Sequence, residues 1–472
     1  MLEARSIDDR RLNGRWLTIV GALVLGLLSS LEPRVTLLGA AILGLILLVT
    51  RDVLAPQRAV VIVLVAKPLI DLAWRWDFFT VGQQGVNAQS LAAAFLVMVA
   101  AIAILRRGGA PAWSNALVWL LITAGVSVAL TPTAMGLNEL IRLYAGASLF
   151  FVSTEALGTE PAFHRFASAF LAAVSVPLVL CLLQVVGILP FEYWDWQDLA
   201  PVGRASGTYQ HPLGVVYFII YAIPLALYLM DRSRSSGPRR FLLSGFLALA
   251  VVCLFLTRHR TGMVACVSGI VLWLALSRRT RGAWTVVAVG FAAVVLMRGL
   301  QRLYGDAFDL AQGGDLLGGA FLRGRGLRWY LFIKAIVESH PVLWLVGRGG
   351  SVAEGMVPFF GYWASNEPHN DLIRLLHAYG LVGCGLYVAL VAGFVVDGLR
   401  LMREGDEHER GLGVLMVVWT GCVAVMSLTT EPTRYPSGIW YLFALASVVR
   451  VRAWRYRRLP KPVPVDAARR SS

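Results

Sequence analysis

The chain has 472 residues, 57% of them hydrophobic and only 15% charged, with a formal net charge of +15. So apolar a composition excludes a soluble protein of this size. Recurring apolar runs of helix-spanning length exclude a transmembrane barrel, whose strands alternate in short segments.

The chain opens on a polar tail, 1–15, carrying Arg5, Arg10, Arg11 and Arg15. A span follows it rather than a small-residue cleavage site, so it does not read as a cleavable signal. Fourteen spans are predicted: 16–31, 35–50, 59–73, 89–105, 113–131, 139–156, 166–189, 213–230, 241–257, 261–276, 283–298, 371–397, 412–429 and 435–450. The first two are short enough for a re-entrant pair, so the count is twelve to fourteen. The fold class is an all-α polytopic membrane protein. Its expected divisions are a cytoplasmic tail (1–15), eleven spans (16–298), one large extracytoplasmic loop (299–370), three spans (371–450) and a basic cytoplasmic tail (451–472) containing Pro460, Pro462 and Pro464.

With the N-terminus inside, most of the 43 Lys and Arg fall in cytoplasmic turns and in the C-terminal tail, although the longest loop lies outside. This is the positive-inside bias, and it puts both termini in the cytoplasm. It also accounts for the basic charge without a nucleic-acid partner. Lys67, Arg142 and Arg374 lie within spans. Arg204, Arg258, Arg260, Arg298, Arg302, Arg323, Arg325 and Arg328 sit near the outer face, against the rule. Cys181, Cys253, Cys266, Cys384 and Cys422 fall in or near apolar spans and read as small core residues.

Four outer segments concentrate residues able to carry chemistry. Gly203-Arg204-Ala205-Ser206-Gly207-Thr208-Tyr209-Gln210-His211-Pro212 precedes span eight, behind a belt of Phe191, Tyr193, Trp194 and Trp196. Arg204 reads either as an anion ligand or as an arginine snorkelling to headgroups. Leu256-Thr257-Arg258-His259-Arg260-Thr261-Gly262 forms a tight outer turn. There Arg260 would offer a guanidinium fork to phosphate, or simply sit on a solvated hairpin; His259 suits the surface.

Arg323-Gly324-Arg325-Gly326-Leu327-Arg328-Trp329-Tyr330 runs on through Ile333, Ala335, Ile336 and Val337 to His340-Pro341. That pattern suits an amphipathic helix on the outer leaflet or across a cavity mouth. In Pro368-His369-Asn370-Asp371-Leu372 and onward to Tyr379-Gly380, Asp371 opens a helix and His369 lies beside its N-terminus. Asn370, Arg374 and His377 then share one helical face. Ionisable residues inside a span point to function, although His377 also suits a satisfied buried histidine. The outer segments hold no metal-ligand or serine-nucleophile motif, so neither a metal nor another cofactor is expected.

Taken in order, these segments (RxSGTxxHP, LTxxRTG, RxxxWxxxxxAxxxxHPxxxxxGxG and HNDxIxxLxxYGxxG) resemble the O-antigen ligase and polymerase superfamily. The matches are Arg204 to His211, Leu256 to Gly262, Arg325 to Gly349 and His369 to Gly383. Trp344, Leu345 and Arg348 depart from the family's plainer glycine-rich turn, and Arg374 is no family hallmark. The resemblance implies a glycosyltransferase-C-like architecture in a bacterial inner membrane. It also implies inverting transfer of a glycan from undecaprenyl diphosphate to an acceptor hydroxyl. A diphosphate leaving group needs its charge neutralised. Without a metal motif, Arg204, Arg260 and Arg325 are the expected clamp, with Arg258 and Arg328 in support. His369 is expected to act as general base or as an anion ligand; Asn370 and Tyr379 either position sugars or pack. The expected activity is an O-antigen or exopolysaccharide polymerase, working with a chain-length regulator. The alternatives are a ligase onto lipid A-core or protein and, from another class, a flippase for lipid-linked oligosaccharide.

Overall fold

The computed structural model describes residues 56–73, 77–81, 84–107, 115–189, 204–207, 209, 211–232, 237–277, 325–349 and 368–458. The expected spans 16–31, 35–50 and 283–298 lie outside the described residues, as do Arg298, Arg302 and Arg323.

In chain order the helices are α1 (Pro56–Ile70), α2 (Ala88–Arg107), α3 (Asn115–Leu130), α4 (Ala134–Leu157), α5 (Glu160–Val185), α6 (Pro212–Arg232) and α7 (Gly237–Leu256). There follow α8 (Arg260–Leu276), α9 (Arg325–Val337), α10 (Pro341–Val346), α11 (Asp371–Glu404), α12 (Glu407–Ser427) and α13 (Pro436–Arg458). A small antiparallel hairpin, β1 (Asp77–Val81) with β2 (Gln84–Asn87), joins α1 to α2 and was not expected from the sequence. The chain is an all-α polytopic membrane protein; six of the described helices are long and apolar enough to cross a bilayer.

The helices begin where local chemistry satisfies their first amides. Thr133 caps α4 at Gly136 (3.0 Å), Asn370 caps α11 at Ile373 (3.1 Å) and Asp406 caps α12 at Glu409 (2.8 Å). Proline at the first helical turn of α5 fits there because that N–H has no helical partner. α6 is apolar on every side, and its run from Val215 to Ala226 is buried throughout. Such a helix belongs at the centre of a bundle. Trp419 of α12 donates to the Tyr221 carbonyl of α6 (3.1 Å), and the Tyr221 hydroxyl donates to the Gly438 carbonyl of α13. α7 is peripheral and turns Phe241, Leu242, Val252 and Phe255 outward, as lipid contact requires.

The three cations predicted within spans are all partnered. Lys67 is fully buried, paired with Asp71 one turn on and set 5.1 Å from the Trp440 ring centroid. Arg142 donates to the Arg434 carbonyl (3.5 Å), and Arg374 binds two carboxylates.

α11 is broken at Gly380, whose φ of 67° and ψ of −171° are open to glycine alone. The break frees carbonyls that the bilayer cannot solvate. The turn after α10 satisfies them: Arg348 N–H donates to the His377 carbonyl and Gly349 N–H to the Ala378 carbonyl, each at 2.9 Å. Ser127 of α3 also donates to the Ala378 carbonyl (2.6 Å). Backbone meets backbone here, since a Cβ on Gly380 would lie 2.3 Å from the Leu345 carbonyl. Gly380→Ala is therefore expected to destabilise the protein by roughly 2–4 kcal/mol, summing strain and overpacking. A thermal melt in detergent checks this; an unchanged midpoint would mean the kink relaxes without cost.

Candidate functional site

The described segments that carry the expected site residues are joined by contacts at one end of the bundle. Residues 204–207 run as an extended strap between α5 and the end of α7. Gln184 Oε1 accepts from the amides of Ser206 (3.0 Å) and Gly207 (2.9 Å), and Ala205 N–H donates to the Leu256 carbonyl (3.1 Å). Gly207 is at φ 59°, with Pro177 so close that a Cβ would lie 2.6 Å from its carbonyl oxygen. Arg204 is thereby aimed at the C-terminus of α7, where its Nε donates to the Thr257 carbonyl (3.0 Å). That carbonyl end carries partial negative charge, which suits a guanidinium. Nearby His211 accepts from Leu213 N–H through Nδ1 (3.0 Å). Burial, and then the Arg204 charge, push its pKa down to about 4, so it is neutral near pH 7.

In the next turn Arg258 has φ 51° and is exposed, and Arg260 is exposed as the first residue of α8. His259, expected at the surface, caps α8 by accepting from Gly262 N–H (3.1 Å). Beside Arg260, Thr261 hydrogen-bonds Thr429 at the end of α12. The strap, the α7–α8 turn and the α12 exit are thus continuous.

His369 is at φ 51°, the only non-glycine residue besides Arg258 with a positive φ among the described residues. Non-glycine residues in this region are uncommon and concentrate at functional loops. Glu431 secures the conformation: its Oε1 accepts from His369 N–H (2.9 Å). Asn370 adds a second tie, donating to the Leu428 carbonyl (3.2 Å) while its Oδ1 caps α11. Asn370 therefore positions the loop. His369 itself is half-buried.

Against this loop lies α9. Trp329 Nε1 donates to the Pro368 carbonyl (2.7 Å), and Phe332 is fully buried against Ile373 with its ring edge on His377, centroids 5.3 Å apart. Arg328, half-buried, is the residue before that tryptophan. Arg325 begins α9, but its side chain lies outside the described residues. α9 is amphipathic as expected, with Tyr330, Ile333 and Val337 exposed.

Beneath His369 lies a buried ion network that sequence reasoning missed. Arg374 donates to Glu139 of α4 (Nη1 to Oε2, 2.9 Å), to Asp371 (3.4 Å) and to Thr433. Asp371 also accepts from Thr433 N–H (3.2 Å) and the Ser427 hydroxyl (3.3 Å). Arg434 lies 3.8 Å from Glu139 and 3.6 Å from Glu431. Glu431 thus bridges the network and the His369 backbone. A small cavity opens on it, lined by Glu139, Arg374, Tyr379, Tyr387 and Arg434. Tyr379 is buried there, one residue before the kink. The missed residues left one signal in the sequence: in the predicted topology Arg434 falls on an outer turn, against the charge rule.

Residues 245–388 match the family model described as O-Antigen ligase. Over those residues the match supports the resemblance to the O-antigen ligase and polymerase superfamily. It takes in most of α7, all of α8 to α10 and α11 past its kink. Glu139, the 204–211 strap and the 431–434 turn lie outside it. No curated protein matches the chain. The family supports a glycosyltransferase-type enzyme of an integral membrane, acting on lipid-linked glycans.

Proposed function

We propose that the chain polymerises O-antigen or exopolysaccharide repeat units from undecaprenyl diphosphate on the outer face of a bacterial inner membrane. The reading is supported by the contacts that link the segments carrying Arg204, Arg258 and Arg260 to the α12 exit, whose Glu431 holds the His369 loop. A diphosphate arriving there would meet guanidinium groups instead of a metal ion, with Arg328 on α9 beside the loop. His369 takes the proton of the acceptor hydroxyl as its oxygen attacks the anomeric carbon from the face opposite the diphosphate. The new C–O bond forms as the bond to the diphosphate oxygen breaks. The electron pair leaves on undecaprenyl diphosphate, against the arginines, and the configuration inverts. Tyr379 lines the cavity beneath and Asn370 holds the loop.

A second reading has its own support, because the matched family is described as a ligase. The deciding experiment reconstitutes the purified protein with undecaprenyl-diphosphate-linked repeat units, with and without lipid A-core. A ladder from donor alone supports the polymerase. A product only with lipid A-core makes it a ligase. No product, with labelled donor crossing the bilayer, would replace both with a flippase.

In that assay Arg204→Ala and Arg260→Ala are each expected to lose roughly 10²- to 10³-fold in rate, the scale of one lost electrostatic donor. Full activity in either, with the protein still inserted, removes that residue from the clamp. Turnover is expected to persist in chelator below the melting temperature. Strict dependence on added Mg²⁺ or Mn²⁺ would overturn the metal-free chemistry.

A further inference from the structure

A second cluster of chemically capable side chains lies at the other end of the bundle. α6 begins at the candidate site and ends at Arg232, roughly 30 Å away along its axis at 1.5 Å per residue. At that far end Glu160 and His164 on the first turns of α5 meet His408 on the first turn of α12.

We propose that Glu160, His164 and His408 bind a divalent transition-metal ion of the zinc class, clasping α5 to α12. His164 Nε2 stands 3.6 Å from Glu160 Oε1, the His408 ring reaches within 3.6 Å of the same oxygen, and one donor atom from each of the three residues lies within 4.8 Å of the others. Those separations are too long for hydrogen bonds. The His164–Glu160 separation is close to the roughly 3.3–3.5 Å between ligands on one tetrahedral ion with bonds of about 2.0–2.2 Å. The buried Nε2 atoms of both histidines have no hydrogen-bond partner, and His408 is only 6% exposed. Polar nitrogens buried in this way call for a ligand.

The rings are also pre-set. The Tyr228 hydroxyl takes up His408 Nδ1 at 2.8 Å, which leaves Nε2 as that ring's ligand atom, and the two imidazoles stack with centroids 6.3 Å apart. Two histidines and one carboxylate make a three-ligand set that leaves a fourth position to water. Arg232, 4.0 Å from Glu160, shares that carboxylate and opposes the ion. Arg452 is already paired with Glu409 (3.5 Å). Arg239 faces His164 and Arg452 faces His408, so together with Arg232 these guanidiniums weaken the site relative to a closed four-ligand one. The site is remote from glycan transfer, so its role is to tie helices together rather than to do chemistry.

The test uses the full chain in detergent, freed of any polyhistidine tag, stripped with chelator, equilibrated with Zn²⁺ and passed through a desalting column. Metal is counted by mass spectrometry. Wild type is expected to keep about one equivalent and to gain melting temperature on adding Zn²⁺. His164→Ala and His408→Ala should each weaken retention roughly tenfold or more and lose the thermal shift. Co²⁺ should give wild type the visible absorption of a four-coordinate site, absent from both variants. If His408→Ala fails to fold, His164→Ala decides, since it leaves the Tyr228–His408 contact in place. No retained metal in wild type, or equal retention in His164→Ala, would overturn the proposal.

Discussion

His369→Gly should retain a folded, inserted protein and lose roughly 10²- to 10⁴-fold in glycan transfer, the span expected when a general base is removed. Glycine is the informative replacement because His369 is at φ 51°. Alanine would remove the imidazole and strain the backbone together, whereas glycine accepts that conformation freely. Glycine also keeps the amide that Glu431 holds at 2.9 Å. A loss in His369→Gly therefore belongs to the ring. Near-wild-type turnover in His369→Gly would remove the proposed base.

The second large effect is on stability. Arg374→Met is expected to destabilise the protein by about 3–5 kcal/mol, because it leaves Glu139 and Asp371 buried without their counter-ion. Glu139 is 7% exposed and Asp371 fully buried, so neither carboxylate can turn to water. Adding Glu139→Gln and Asp371→Asn to Arg374→Met should recover much of the loss, since a neutral buried network costs far less than an unpaired one. Arg374→Lys should fall between, because an ammonium cannot reach Glu139, Asp371 and Thr433 with one planar fork. Thermal melts of the four proteins test this. A stable Arg374→Met, or a triple variant weaker than it, would mean that Arg434 alone compensates Glu139.

The sequence by itself determined the class and much of the helix pattern. Hydropathy is a local quantity, so runs such as 213–230 and 371–397 announce α6 and α11 without knowledge of their neighbours. Caps are local too: Asn370 and Asp371 mark the start of α11 within three residues. The outer arginines stood out because they oppose a simple charge rule, and the four ordered motifs pointed to the family. The same local view accounts for the omissions. Arg374 and Glu139 are 235 positions apart, and His369 and Glu431 are 62 apart. Neither spacing carries a period that a pattern could reveal.

Only the tertiary structure decided that the 431–434 turn secures the His369 loop and that the turn after α10 satisfies the carbonyls freed at Gly380. It alone brought His408 to Glu160 and His164. Each of these depends on which helices pack together, and packing in a bilayer follows from shape and from satisfying buried polar groups rather than from apolarity. Apolarity is what the sequence displays most plainly, and it is nearly the same on every span.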